Sequence, residues 1–221
     1  MRDMQHYIEE IKICLDKIEA GRRQIDTAAE IIAGALKRGR FVHILGTEAH
    51  TAALAGELFF KSSGLAGVNP LFDPALDLSH GAYRSALCRN MTGLAPCILD
   101  YYENIEPGDP IILLSGDPEG VFFEEAVNRA VDKGLKIIAI VPLGGVDGNV
   151  SLKKADVIVD SHSADDFGGT NTICVSVILN CIAKRVSAMA EGVEVWKGGR
   201  FVEPERNKDL LEKYVYKIKH L

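Results

Sequence analysis

The sequence predicts a doubly wound α/β fold, with a mostly parallel five-stranded sheet flanked by helices and preceded by an N-terminal helical extension. Short, continuously apolar runs alternate along the chain with segments of helical periodicity. Such runs are typical of parallel strands buried on both faces, because right-handed crossover helices cover each side of the sheet. With 221 residues, 47% of them hydrophobic, the chain is long enough to form one domain of this kind.

Two amphipathic helices are expected at the start of the chain, at residues 4–20 and 23–38, because apolar positions recur three and four residues apart. Ala20 and Gly21 separate them. The apolar stripe of the first helix consists of Ile8, Ile11, Leu15 and Ile18. This stripe could pack against another subunit or against its own domain.

The strand and helix units follow these two helices. The first strand is expected at 41–46, before a helix at about 49–62, and residues 64–72 are a further strand candidate. The remaining strands are expected at 111–116, 136–142 and 156–160, followed by helices at about 119–133, near Asn149 and at about 170–190. A last helical pattern covers 209–221. We therefore expect a single domain, with helices in 1–38, the α/β core in 41–190 and a C-terminal tail and helix in 191–221.

The composition excludes several classes of partner. A net charge of −6 and a pI near 5.5, without a basic cluster, argue against nucleic acid and against an anionic membrane. The first ten residues carry charges where a signal peptide needs an apolar core, and we expect no membrane-spanning run. The five cysteines are Cys14, Cys88, Cys97, Cys174 and Cys181. Because the number of cysteines is odd and no Cys-x-x-Cys pair occurs, we expect reduced thiols and a cytoplasmic protein.

A ligand site in such a sheet is expected beyond the carboxyl ends of the strands, where loops and helix amino termini converge. The segments that the pattern brings to this edge are 46–51, 73–81, 115–120, 142–148 and 161–172.

Several stretches resemble the sugar-isomerase (SIS) family, and in particular the bacterial SIS-domain proteins related to phosphoheptose isomerase. They are GLAGVNPLFDPALDLSHGAYRS (64–85), YYENIEPGDPIILLSG (101–116), GLKIIAI (134–140), KKADVIVDS (153–161) and NKDLLEKYVYKIKHL (207–221). The resemblance implies a flavodoxin-like three-layer sandwich that binds a small sugar or sugar phosphate as a homodimer or homotetramer. It also implies aldose–ketose isomerisation by proton transfer. A non-catalytic sensor of a sugar derivative and a site for an unphosphorylated sugar remain the alternatives.

The resemblance also implies that Ser- and Thr-rich loops after the first and third strands hold a phosphate group. This sequence departs from that pattern in both loops, which read GTEAHT (46–51) and SGDP (115–118). The candidate ligand-binding residues are Gly46, Thr47, Glu48, His50, Thr51, Asn69, Asp73, Ser115, Gly116, Asp117, Thr170, Asn171 and Thr172. Asn69 and Asp73 could instead fix a loop, and Thr170 to Thr172 open the last long helix, where capping and ligand contact are compatible.

Glu48 and Asp117 are a physical objection to a phosphate ligand. Unit charges ~4 Å apart repel by about 4 kcal/mol at an effective dielectric constant near 20. Either these carboxylates point away from the ligand, or the ligand is not a phosphate. For Asp117 the simplest alternative is an N-cap of the helix that begins near Glu119.

Glu57 and His80 are the candidate catalytic residues. Similar phosphoheptose isomerases place their general base at the Glu-Leu site that Glu57 occupies, and apolar neighbours could raise the pKa of its carboxyl group. His80 could act as the partner acid, because a histidine titrates near neutral pH. The isomerase-like relatives carry their acid histidine on the last long helix, but residues 170–190 contain none.

The other histidines are assigned less specific roles. His43, inside the first strand, is expected to pack with its ring nitrogens satisfied, whereas His50 and His162 fall in loops at strand ends. These two and His80 could meet a carboxylate around a metal ion, but no local spacing supports this arrangement. We therefore expect no metal and no cofactor.

Overall fold

A computed structural model of the protein describes residues 4–144, 149–163 and 169–221. Its five strands form one sheet in the order β2-β1-β3-β4-β5, and every neighbouring pair is parallel. The strands are β1 (Val42–Gly46), β2 (Val68–Pro70), β3 (Pro110–Leu114), β4 (Lys136–Val141) and β5 (Val157–Asp160). The α-helices of the described residues are α1 (Met4–Ala20), α2 (Arg22–Lys37), α3 (Ala49–Leu54), α4 (Ala82–Cys88), α5 (Leu94–Tyr101), α6 (Val121–Asp132), α7 (Gly169–Met189) and α8 (Lys208–Tyr214).

Helices cover both faces of the sheet, and the central strand β3 demonstrates this most clearly. Ile112 and Leu114 belong to the hydrophobic core that contains residues of α1, α2 and α7. Ile111 and Leu113 belong to the core on the other face, with residues of α5 and α6. All four side chains are fully buried, so alternation of polar and apolar residues is not possible in this strand. The predicted doubly wound α/β class is therefore confirmed.

The N-terminal helices α1 and α2 follow the predicted pattern to within a residue or two at their ends. Helix α1 contacts α7 and buries Cys14 and Ile18 against the core of its own chain. Ile8, at the other end of the same stripe, remains 43% exposed. The stripe therefore packs only partly on its own domain.

The helix predicted at 49–62 is shorter than expected. Helix α3 ends at Leu54, and a single 3₁₀ turn at Ala55–Glu57 follows it. Phe60 and Ser63 then adopt positive φ angles of 42° and 64°, which an α-helix does not accommodate. Glu57 consequently lies at the end of a short turn and not in the middle of a helix.

Other boundaries also differ from the predictions. The strand candidate at 64–72 is reduced to β2, and the helix expected near Asn149 is a 3₁₀ turn at Leu152–Lys154. The last helical pattern gives only α8, which ends at Tyr214. Helices α4 and α5, between β2 and β3, were not predicted, because each spans only two turns and a glycine precedes each of them.

Among the described residues, one helix, α7, is long and apolar enough by length and composition to cross a membrane. In the fold α7 contacts α2 and α1, and eight of its residues are buried. Core helices of soluble proteins have the same composition, so the helix is explained by its packing.

Candidate functional site

The predicted site lies where β1 and β3 end side by side. Gly46 pairs with Leu114 at the last position of the two strands, so Thr47 and Ser115 follow at the same edge of the sheet. Both side chains are buried, and their Oγ atoms are 2.8 Å apart. In this strand order, the connections that leave β1 and β3 diverge, which creates the crevice where doubly wound sheets bind ligands.

The Glu48 carboxylate occupies the centre of this crevice. Its Oε1 accepts a hydrogen bond of 2.7 Å from the Gly116 N–H. Its Oε2 lies 2.5 Å from Thr47 Oγ1 and 3.3 Å from Ser115 Oγ. Two hydroxyl groups and one backbone amide, from the loops that follow β1 and β3, therefore converge on the Glu48 carboxylate.

Glycine is required at the end of β1. A Cβ atom at Gly46 would stand 2.1–2.2 Å from backbone atoms of Thr51 and Ala52, so any side chain would collide with the first turn of α3. Thr51 is itself occupied, because its Oγ1 accepts a bond from the Glu48 N–H and donates one to the Glu48 carbonyl. These two candidate residues shape the turn that presents Thr47 and Glu48, while His50 is exposed on α3.

Gly116 lies between two side chains of the crevice. A Cβ atom there would be 3.2 Å from both Asn171 Nδ2 and Glu48 Oε1. Asn171 lies in the first turn of α7, with Thr170 and Thr172 on either side of it. The Asn171 carboxamide is oriented by its Oδ1, which accepts hydrogen bonds from Ser161 and Ser163. The predicted segments at 46–51 and 115–120 thus meet the described parts of the segment at 161–172, which are 161–163 and 169–172.

The expected capping role of Asp117 is wrong. Helix α6 begins at Val121 with Gly120 at the N-cap position, and no side chain caps it. The backbone first makes a turn, in which the Gly120 N–H donates to the Asp117 carbonyl, and this delays the helix. The Asp117 N–H donates to Ser115 Oγ at 3.0 Å, and the residue is exposed beside Gly116. Two carboxylates therefore flank the crevice.

Asn69 does not lie in a ligand loop. It is fully buried in β2, where its Nδ2 bonds His43 Nδ1 and Asn104 Oδ1. His43 and Asp109, its neighbours in this network, lie near the amino ends of β1 and β3, at the opposite edge of the sheet. The prediction that the ring nitrogens of His43 are satisfied is confirmed. Asp73 fixes its loop, because its Oδ1 accepts the Ala75 N–H at 2.7 Å.

A cavity of ≈ 730 Å³ adjoins this opposite edge, between the C-terminal segment and the start of β1. Three of its charged groups pair with one another: Arg40 bonds Asp109 at 2.6 Å and Glu106 at 2.7 Å. Burial alone would raise the pKa of Asp109, but hydrogen bonds from His43, the Glu106 N–H and Arg40 lower it. These contacts are those of a structural network.

Glu57 is held in a different cluster, against α7. Lys61 Nζ donates to Glu57 Oε1 at 2.5 Å, and Asn180 Nδ2 donates to the same oxygen at 2.7 Å. Burial would raise the pKa of Glu57, but the bonds from Lys61 and Asn180 outweigh it and lower the pKa below its usual value. The expectation of a raised pKa is therefore wrong. The spacing of Glu57 and Lys61, four residues apart, was the available signal for this ion pair.

His80 lies in an exposed loop. Its Nδ1 is 2.8 Å from Ser79 Oγ and 3.6 Å from Asp77 Oδ1. Hydrogen bonds from the Ser79 hydroxyl and the Ser79 N–H, together with the neighbouring His80, lower the pKa of Asp77. The partners of His80 and those of Glu57 are different residues, so the fold gives the two predicted catalytic groups no common contact.

The remaining histidine candidate at a strand end, His162, has an acidic partner in the described structure. His162 has a positive φ of 53° and pairs with Asp160 at 2.9 Å, at the end of β5. Within residues 4–144, 149–163 and 169–221, no three histidine, cysteine or acidic side chains are grouped so that they could hold a metal ion. The predicted site segment at 142–148 falls largely on residues 145–148, outside the described residues.

Known proteins resemble this chain over most of its length. UPF0309 proteins of Geobacillus thermodenitrificans and Brucella ovis are 29% and 30% identical to it, covering 86% and 76% of both chains respectively. The structure of a phosphoheptose isomerase from Neisseria gonorrhoeae matches with a TM-score of 0.61 at 15% identity, over 83% of this chain and 96% of the other. The sugar isomerase domain of an RpiR transcription factor from Sphaerobacter thermophilus matches with a TM-score of 0.54 at 18% identity, over 95% of this chain and 93% of the other.

At these identities the two solved structures support only the fold of this chain. That fold is the parallel α/β arrangement described above. The SIS domain family model matches residues 6–142, which is more than half of the chain and includes both β1 and β3 with their loops. The chain therefore belongs to the SIS domain family.

Proposed function

We propose that this protein binds a small sugar or sugar derivative in the crevice between β1 and β3. One observation carries the proposal: the Thr47 and Ser115 hydroxyl groups and the Gly116 N–H converge beside the Glu48 carboxylate at the edge where ligands bind in this fold. Closely spaced donors and acceptors on rigid strand ends suit a ligand with many hydroxyl groups.

The relatives support the same class of ligand. The solved structures of similar fold are named as a phosphoheptose isomerase and as the sugar isomerase domain of a transcription factor, and both names refer to sugars. Membership of the SIS family adds to this support.

Isomerisation of the sugar would need a general base and an acid beside the ligand. Glu57 and His80 remain the candidates, but Glu57 is paired with Lys61 and its pKa is lowered, so it is a weaker base than the reaction favours. This observation favours a second candidate function, in which the protein binds the sugar derivative without turnover and senses it. The RpiR transcription factor combines a domain of the same fold with regulation.

The proposal also includes a cytoplasmic location and assembly into a homodimer or homotetramer. Ile8 and Ile13 of α1 are 43% and 49% exposed, which is consistent with a helix that packs on another subunit. A neighbouring subunit would then complete the site.

Thermal-shift titration with pentoses, hexoses and heptoses, free and phosphorylated, tests the proposal. We expect at least one sugar to stabilise the protein, and Gly116→Ala to weaken its binding at least about tenfold, because the new methyl group crowds Glu48 and Asn171. Glu119→Ala, an exposed change in the same loop, is the matched control. Equal sugar binding by both variants would exclude this crevice as the site.

A further inference from the structure

Three of the donors that the crevice offers to an anion already contact a carboxylate. The Gly116 N–H, Thr47 Oγ1 and Ser115 Oγ all contact the Glu48 carboxylate. Ser115 Oγ also accepts the Asp117 N–H. A phosphate that used these donors would have to displace a side chain of the same charge sign.

Among the described residues, the partners of the Glu48 carboxylate carry no charge that would balance its own. Within the part of the chain that the structure describes, its side-chain partners are neutral hydroxyl and amide groups, and no lysine or arginine pairs with it. Asp117 adds a second carboxylate, exposed on the neighbouring loop. A dianionic group entering between them would meet repulsion without a counter-charge.

The same arrangement suits a ligand with hydrogen-bond donors. Two hydroxyl groups and the Gly116 N–H contact the Glu48 carboxylate, which also takes part in a capping box with Thr51 at the start of α3. Glu48 is only partly buried, so a ligand can reach it. A hydroxyl group would donate to it directly, and an ammonium group would form the stronger, charge-assisted bond.

We infer that the crevice takes a sugar derivative that presents an amino or hydroxyl group to Glu48, and not a phosphate, and that Glu48 is the residue that sets this preference. The inference rests on the proposed function, because it names the class of ligand for the same crevice.

The test compares matched ligands on three proteins: the natural chain, Glu48→Gln and Asp117→Asn. Each sugar of the panel is used in its neutral, amino and phosphorylated forms, and affinity is measured by titration calorimetry. We expect the natural chain to bind the neutral or amino form at least about tenfold more tightly than the phosphorylated form. Glu48→Gln should lose most of this difference, whereas Asp117→Asn, which removes an exposed charge and whose side chain holds no donor of the crevice, should lose a smaller part of it.

A second readout does not depend on the choice of sugar. Inorganic phosphate should stabilise Glu48→Gly against heat, because the freed donors can bind an anion, but it should not stabilise the natural chain. Tighter binding of phosphorylated sugars by the natural chain, or equal stabilisation of both proteins by phosphate, overturns the inference while sugar binding stands. Failure of every sugar to bind overturns the proposed function instead, and the phosphate readout still decides whether Glu48 excludes anions.

Discussion

The Lys61 ammonium group donates a 2.5 Å hydrogen bond to the Glu57 carboxylate, and Asn180 of α7 bonds both partners. This cluster ties the end of the 3₁₀ turn after α3 to the core helix. A group in this environment is stabilised in its charged form, which suits a structural tie better than a proton acceptor.

We therefore expect Glu57→Gln to leave sugar affinity within about tenfold of the natural value and to lower the free energy of unfolding by about 0.5 kcal/mol, as for a partly exposed ion pair. Urea denaturation and calorimetry measure the two effects. Glu57 is the catalytic base after all if the chain isomerises a sugar and the glutamine variant loses turnover at unchanged affinity.

The effect of Asp117→Ala on stability tests whether this residue caps α6. If it capped α6, Asp117→Ala would lower the free energy of unfolding by about 1 kcal/mol. Because Gly120 occupies the N-cap position and the side chain of Asp117 is exposed, we expect a change of less than about 0.5 kcal/mol in urea denaturation. A loss near the larger value would restore the capping role.

Gly46 should be intolerant of substitution. We expect Gly46→Ala to destabilise the protein by about 3 kcal/mol, because its Cβ would overlap backbone atoms of Thr51 and Ala52 that cannot rotate away. Gly21→Ala is the control, since the nearest atoms to its Cβ are at an ordinary 3.5 Å. Similar thermal midpoints for the two variants would contradict the close approach of α3 to β1.

Acid sensitivity should depend on Asp109. Its pKa is lower in the folded protein than in the unfolded chain, so its contribution to stability is present above the unfolded pKa of about 3.9 and is lost as the pH falls below it. We expect Asp109→Asn to be less stable than the natural chain at pH 7 and to lose less stability below about pH 4. Urea midpoints measured from pH 7 down to about pH 2 check both parts. If the stability of Asp109→Asn falls as steeply with decreasing pH as that of the natural chain, other carboxyl groups dominate the acid sensitivity.

The sequence predicted the elements whose signal is local and repeated. Four apolar runs predicted four strands, and the further candidate at 64–72 contains the fifth, β2. The loops at Thr47 and Ser115 were placed at the binding edge because parallel strands end together. Contacts between distant residues could not be predicted in this way. Glu48 and Gly116 are 68 positions apart, and nothing in either loop alone indicates that a carboxylate of one fills the donors of the other.

The predictions for Asn69 and Glu57 were wrong because their contacts also depend on residues that are distant in the sequence. Asn69 was a candidate for ligand binding or for fixing a loop, but it lies in β2, where Pro70 is tolerated because this strand is at the edge of the sheet. The pKa of Glu57 was expected to rise because its sequence neighbours are apolar. Asn180, more than a hundred residues away, supplies part of the opposing effect.

The assembly prediction depends on α1. This helix buries Cys14 and Ile18 in its own domain and leaves Ile8 and Ile13 exposed, so an apolar surface remains that a second copy could cover. We expect light scattering at micromolar concentration to give the mass of a dimer or tetramer. The double variant Ile8→Glu, Ile13→Glu should shift the mass toward the monomer, because two carboxylates would be buried without partners in the interface.

Its matched control is Val121→Glu, which places a charge on a residue of α6 that is 39% exposed and distant in sequence from α1. A natural chain that stays monomeric would exclude a site shared between subunits, and an unchanged mass in the double variant would exclude α1 as the contact.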